Sequence, residues 1–138
     1  MCTINSCRSQ MAEGLVNHFH CDKFHAFSAG AQATSVHPLS LKVMNEIGIN
    51  ISKQRSKSIE EFFSLEFDYV VTLCGENAKT VCPVFPGKAH VRLNWNFDDP
   101  AEAQGKKEEV IQVFRRVRDE IKAKIDEFVK ELQKETEP

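Results

Sequence analysis

A cysteine at position 2, an arginine at position 8 and a serine at position 9 stand directly before a helix-forming run, Gln10-Met11-Ala12-Glu13. Those residue types at that spacing make an oxyanion device. The backbone N–H groups of Thr3, Ile4, Asn5, Ser6, Cys7, Arg8 and Ser9, backed by the helix N-terminus, can ring a tetrahedral anion. Arg8 adds a guanidinium fork that matches two of the anion's oxygens. Cys2, at the lip, gains thiolate character from the same positive field and is the candidate nucleophile. Ser9 can donate to that thiolate while capping the helix. Asn5 suits a left-handed backbone position that aims N–H groups inward. Cys7 either guards Cys2 by pairing with it or fills the loop floor as a buried thiol. The bland alternative is a chance C-x5-R-S, and the placement at a helix start favours the device.

A carboxylate and two further thiols complete the chemical inventory. Asp99 precedes Pro100, which holds it extended, so it can project over a pocket as a general acid. Its neighbour Asp98 reads as solvent-facing. Cys74 closes a strong strand pattern and Cys82 precedes Pro83. In a parallel sheet both share one carboxyl edge with Cys2, although taken alone they read better as two buried thiols. His18, His20, Cys21 and His25 fit no standard zinc spacing. His18 and His20 lie two apart on a helix and face different sides. No metal site is expected.

These groups need elements to position them. Ser9 to about His20 has helical apolar spacing, and Lys23–Ser28 alternates as a strand. His37-Pro38 opens a second helix that Gly48 stops. Ser58–Phe63 reads as a short helix. Asp68–Leu73 is the clearest strand, apolar on both faces like a strand covered on both sides. His90–Leu93 is a weaker strand. Lys107 to about Leu132 is a long helix whose stripe (Val110, Phe114, Val117, Ile121, Ile125, Phe128, Leu132) should pack on the sheet. Alternating strands and helices predict an α/β fold with a parallel sheet. Its chemistry belongs at the loops leaving the strands' carboxyl ends.

Composition narrows the class. The 138 residues suit one domain over 1–138, and 41% hydrophobic content with ten Phe supplies a core. A net charge of −2 gives no electrostatic case for nucleic acid. No apolar run is long enough to span a membrane, and the N-terminus is not a signal peptide. Five cysteines, an odd number, fit a reducing compartment, so the expected location is the cytoplasm.

Several segments together carry a resemblance: Cys2–Gly14, Ser28-Ala29-Gly30, Val71-Thr72-Leu73-Cys74-Gly75, Phe97-Asp98-Asp99-Pro100 and Arg115-Arg116-Val117-Arg118-Asp119-Glu120. Over nearly its whole length the chain resembles thioredoxin-coupled arsenate reductases, which share the fold of low-molecular-weight protein tyrosine phosphatases. The resemblance implies a three-layer α/β domain with a central parallel sheet. It also implies arsenate as substrate, thioredoxin as electron donor, no bound cofactor, a monomer, and a role in arsenical resistance and detoxification. The implied relay runs through three thiols. Cys2 forms the arsenate adduct, Cys74 attacks Cys2 and expels arsenite, and Cys82 attacks Cys74 to leave a disulfide for thioredoxin.

Two departures from the family pattern carry expectations. Some members bind potassium through residues matching Asn5, Glu13, Ser28 and a later Asp, where this chain has Lys57; the lysine ammonium is expected to replace the ion and pair with Glu13. Members also have an apolar strand before the nucleophile, whereas only Met1 precedes Cys2. The fold is therefore expected to lack its first strand and to be weakly stable, and about six β-forming residues before Met1 should restore it. The runner-up activity is phosphate monoester hydrolysis through a Cys2 phospho-intermediate, needing Cys2, Arg8 and Asp99 alone. A non-catalytic oxyanion-binding remnant is the reading from another class. Finally, a helix over Gly75–Val81 would hold Cys74 and Cys82 about 12 Å apart along its axis. A disulfide needs Cα atoms roughly 4.4–6.8 Å apart, so that segment should unwind on oxidation.

Overall fold

The computed structural model describes residues 2–4, 7–32, 34–73 and 87–136. Asn5, Ser6, Cys74, Cys82 and the Gly75–Val81 switch lie outside them. In chain order the elements are β1 (Cys2–Ile4), α1 (Arg8–Phe19), β2 (Gly30–Gln32), α2 (Pro38–Glu46), β3 (Glu66–Thr72), β4 (Lys88–Asn94) and α3 (Lys107–Thr136). Short 3-10 turns occupy Ile59–Phe62 and Pro100–Glu102.

The helix boundaries follow local chemistry. His37 caps α2, its Nδ1 accepting the Leu39 N–H at 3.1 Å, and Pro38 takes the first helical position. At the other end Gly48 has φ +81°. The Gly48 N–H reaches the Asn45 carbonyl and the Ile49 N–H reaches Met44, the paired bonds of a Schellman stop.

The core lies among the helices. Met11 and Leu15 of α1, Val43 and Met44 of α2, and Ile49 and Ile51 beyond it meet Ile111, Phe114, Val117, Ile121, Ile125 and Val129 of α3. The buried stripe of α3 thus runs through Ile111 and Val129, while Val110, Phe128 and Leu132 are only half-buried. The expectation that α3 packs chiefly on the sheet is corrected. Its buried face meets α1 and α2, and it reaches the strands through Phe128, whose ring contacts Tyr69 and Trp95.

All described strand pairing is parallel, as alternation predicted. The strands form two pairs, β1 with β2 (Cys2 opposite Gly30) and β3 with β4 (Glu66 opposite Lys88). Two local expectations change. Residues 2–4, read as the start of a loop, form β1. The strand expected at Lys23–Ser28 falls instead at Gly30–Gln32, because the ladder with β1 begins only where Cys2 meets Gly30. β3 is covered less than its composition suggested: Val70 is buried, but Tyr69 and Val71 are half-buried and Asp68 is exposed.

Candidate active site

Arg8 is the first residue of α1, and its side chain joins three elements. It is 6% exposed. Nη1 donates to the Leu73 carbonyl at 2.8 Å and to the Phe97 carbonyl at 2.9 Å. Nη2 stands 3.8 Å from Asp99 Oδ2. One guanidinium therefore ties the start of α1 to the chain leaving β3 and to the loop after β4. Both loops lie at carboxyl ends of parallel strands, where open α/β sheets gather their chemistry. Cys74 follows Leu73 directly in the chain.

Asp99 is held for a single orientation. Its backbone is extended (φ −82°, ψ 107°), as the following proline requires, and its Oδ1 accepts the Ala101 N–H at 3.0 Å. That cap leaves Oδ2 toward Arg8. Asp98 points elsewhere, exposed and 3.0 Å from Arg116 Nη2. Arg116 also meets Glu120 one turn on, so α3 steadies the Asp99 loop from outside. Arg115 and Arg118 instead grip Glu46 at the end of α2. The Arg118 guanidinium also donates to the Val43 carbonyl at 2.8 Å.

The helix start differs from expectation at Ser9. The N-cap is Cys7, which makes no side-chain cap bond, and Ser9 lies one residue inside α1, buried at 2%. It is not the cap, because the helix begins at Arg8. No acidic residue occupies the first turn, so no carboxylate of that turn offsets the positive end of α1. Cys7 is 4% exposed within the core cluster, as the loop-floor alternative requires.

Beneath the helix start lies a buried charge pair. Lys57 Nζ stands 3.3 Å from Glu13 Oε1, with side-chain exposures of 9% and 8%. The same oxygen accepts the Ser28 N–H at 2.8 Å and the Ser28 hydroxyl at 3.2 Å. Lys57 also donates to the Arg55 carbonyl. The ammonium thus places a cation beside Glu13 and Ser28. Gln10 ties in the same segment: its Nε2 donates to the Arg55 carbonyl while its Oε1 accepts from Gln54.

Some of this was beyond sequence reasoning. The Leu73 and Phe97 carbonyls are backbone acceptors with no residue-type signature. His37 was read only as a helix start, yet it feels the charge of Asp99. Burial pulls its pKa below the usual histidine value, and the Asp99 carboxylate opposes that shift. Its ring lies against Phe114, with centroids 4.8 Å apart.

Comparison with known proteins adds the family. The family profile described as low molecular weight phosphotyrosine protein phosphatase matches residues 1–137. The chain is 52% identical over 129 residues to an arsenate reductase of Shouchella clausii, covering 93% of this chain and 91% of that one. The chain belongs to the arsenate reductases of the low-molecular-weight phosphatase family. Among solved structures, an arsenate reductase in the phosphate binding state superposes with a TM-score of 0.76 at 32% identity, covering 94% of this chain and 92% of the other. A thioredoxin-dependent arsenate reductase of Corynebacterium glutamicum superposes with a TM-score of 0.66 at 33% identity, covering 98% of this chain and 60% of its own. In this chain the Arg8–Asp99 pair sits beyond the carboxyl ends of β3 and β4, where open α/β sheets direct their ligands.

Proposed function

We propose that this chain reduces arsenate to arsenite with electrons from thioredoxin, in the cytoplasm. The observation that carries the reading is the Arg8–Asp99 pair, 3.8 Å apart at the start of α1. The 52% identity to an arsenate reductase supports the choice of substrate. Arsenate enters as a tetrahedral oxyanion at the positive end of α1, in the loop Cys2–Ser9, with Arg8 on its oxygens. The Cys2 thiolate attacks arsenic, and one oxygen departs as water, protonated by Asp99. The Cys74 thiolate then attacks the Cys2 sulfur. The S–As bond breaks and its electron pair stays on arsenic, which falls from As(V) to As(III) as two thiols become a disulfide. Cys82 attacks Cys74, freeing Cys2, and the thioredoxin dithiol reduces the Cys74–Cys82 disulfide.

Electrostatics beside the loop support the same reading. Lys57 pairs with Glu13 beside Ser28, where the family resemblance places a potassium ion, and on this reading its ammonium stands in for that ion. Phosphate monoester hydrolysis is the second reading, since Arg8 and Asp99 are paired by contacts that involve neither Cys74 nor Cys82. Arsenite release with a thioredoxin system separates them. Cys74→Ser should abolish arsenate turnover while sparing any aryl phosphate hydrolysis. If Cys74→Ser turns over arsenate at the parent rate, the relay is wrong.

A further inference from the structure

Asp99 lies in a short extended stretch that is tethered on both sides of it. Before it, the Phe97 carbonyl accepts from Arg8 Nη1 at 2.9 Å; after it, Pro100 is fully buried. The Asp99 backbone is extended, with φ −82° and ψ 107°. Successive side chains of an extended chain point to opposite sides. Asp98 and Asp99 therefore project in opposite directions, and a contact that holds one orients the other. Their exposures agree, 73% for the Asp98 side chain against 32% for Asp99.

Asp98 is held by Arg116 of α3, whose Nη2 stands 3.0 Å from Asp98 Oδ2. Arg116 stands on a firm base. Its neighbours Phe114 and Val117 are completely buried, which locks that turn of α3 into the core. Glu120, one turn on, accepts from Arg116 Nη1 at 2.6 Å and steadies the guanidinium. An exposed pair of this kind adds little to folding stability. Its effect on geometry can be much larger, since misplacing a reacting group by about 1 Å can cost about 10²-fold in rate.

From this geometry we propose that Arg116 is a positioning residue for the general-acid step. Acting through Asp98, it sets the direction in which Asp99 projects toward Arg8 and the oxyanion. Its ion pairs are with Asp98 and Glu120, so its influence on the chemistry is indirect. The proposal rests on the reading of Asp99 as the acid and extends it by one residue. Arg115 supplies the internal comparison: it stands beside Arg116 on α3 but is engaged with Glu46 at the end of α2.

The test is a double-mutant cycle of Arg116→Met with Asp99→Asn, read on single-turnover arsenite release and on hydrolysis of an aryl phosphate. Either reaction asks Asp99 to protonate the departing oxygen. In both, Arg116→Met should lower the rate about tenfold, a part of the roughly 10²–10⁴-fold that a general acid supplies. The KM for the aryl phosphate and the Kd for inorganic phosphate should stay within about twofold of the parent, and the Tm should fall by no more than about 3 °C. On the Asp99→Asn background Arg116→Met should cost nothing further, because a residue acting through Asp99 has nothing left to position. Charge reversal, Asp98→Lys with Arg116→Glu, should restore the rate to within about threefold, and Arg115→Met should leave it unchanged. Exchange of the Ala101 amide, which donates to Asp99 Oδ1 at 3.0 Å, should quicken at least threefold in Arg116→Met. A rate within twofold of the parent in Arg116→Met would overturn the proposal. So would an equal loss on the parent and Asp99→Asn backgrounds, or unchanged exchange at Ala101. A parent that releases no arsenite would count against the arsenate reading instead, and the aryl phosphate rates and the Ala101 amide would still decide the role of Arg116.

Discussion

Replacing Lys57 with methionine tests the buried charge pair directly. Methionine keeps the length of the stem and removes the ammonium. Glu13 is then left at 8% side-chain exposure with its charge uncompensated. Breaking one side of a buried pair costs about 3–5 kcal/mol. Glu13 keeps two bonds from Ser28, at 2.8 and 3.2 Å, so the lower end, about 3 kcal/mol, is expected. At an unfolding entropy of about 2.1 cal/mol/K per residue, a chain of 138 residues loses roughly 0.3 kcal/mol of stability per degree near its midpoint. The variant should therefore melt about 10 °C lower. Lys57→Met combined with Glu13→Gln should recover much of that loss, because no unpaired charge remains. Calorimetry in sodium and in potassium at constant ionic strength adds the second arm. The parent Tm should not respond to potassium, since Lys57 already supplies the cation. A Lys57→Met loss under about 1 kcal/mol, or a marked rise in parent Tm or activity on adding potassium, would refute the reasoning.

Three further predictions follow from single contacts. Asp99→Asn keeps an oxygen that can cap the Ala101 N–H and loses only a long, partly exposed pairing with Arg8, so stability should change by no more than about 1 kcal/mol while turnover falls about 10²–10⁴-fold; an unfolding titration beside a rate measurement checks both. Gly14→Ala sets a Cβ 2.7 Å from Ile51 Cγ2 and 3.3 Å from Met44 Cε, where α1 and the α2 region meet in the core. Overpacking of about 1–3 kcal/mol should outweigh the gain in helix propensity, and urea denaturation would show a midpoint at least as high as the parent if that close approach were absent. Burial pulls the His37 pKa below 6.5 against the opposing charge of Asp99, so the unfolded chain binds the proton first as pH falls. The contribution of His37 is thus complete above about pH 6.5 and declines below it. The parent should lose more Tm than His37→Gln between pH 7 and pH 5, and parallel curves would count against this.

What the sequence exposed and what it hid divide along physical lines. The α2 boundaries were legible because a proline start and a glycine stop act locally, and the structure adds the His37 cap and the Schellman bonds. Arg8 and Asp99 were legible separately, each residue type suggesting a role of its own; that the two stand 3.8 Å apart was not legible. The acceptors that orient Arg8 were not legible, because the carbonyls of Leu73 and Phe97 carry no side-chain signal. Ser9 was read as the cap two residues too late, since the cap is Cys7 and the helix begins at Arg8, which only the backbone decides. The Lys23–Ser28 alternation suggested a strand, but a ladder also needs a partner, and pairing begins only at Gly30. Phe128 was assigned to the buried stripe of α3, yet it sits at the margin where α3 meets Tyr69 and Trp95. Periodicity locates a helix face more securely than the limits of that face.

The central claim is that two of this chain's own thiols supply the electrons that leave arsenic reduced, with Cys82 needed only afterwards. A single-turnover reaction of Cys82→Ser with excess arsenate and no thioredoxin isolates that step. One arsenite per chain should be released, and mass spectrometry should find a Cys2–Cys74 disulfide in the product. No arsenite from the folded variant, or arsenite formed while Cys2 and Cys74 remain reduced, would contradict the account.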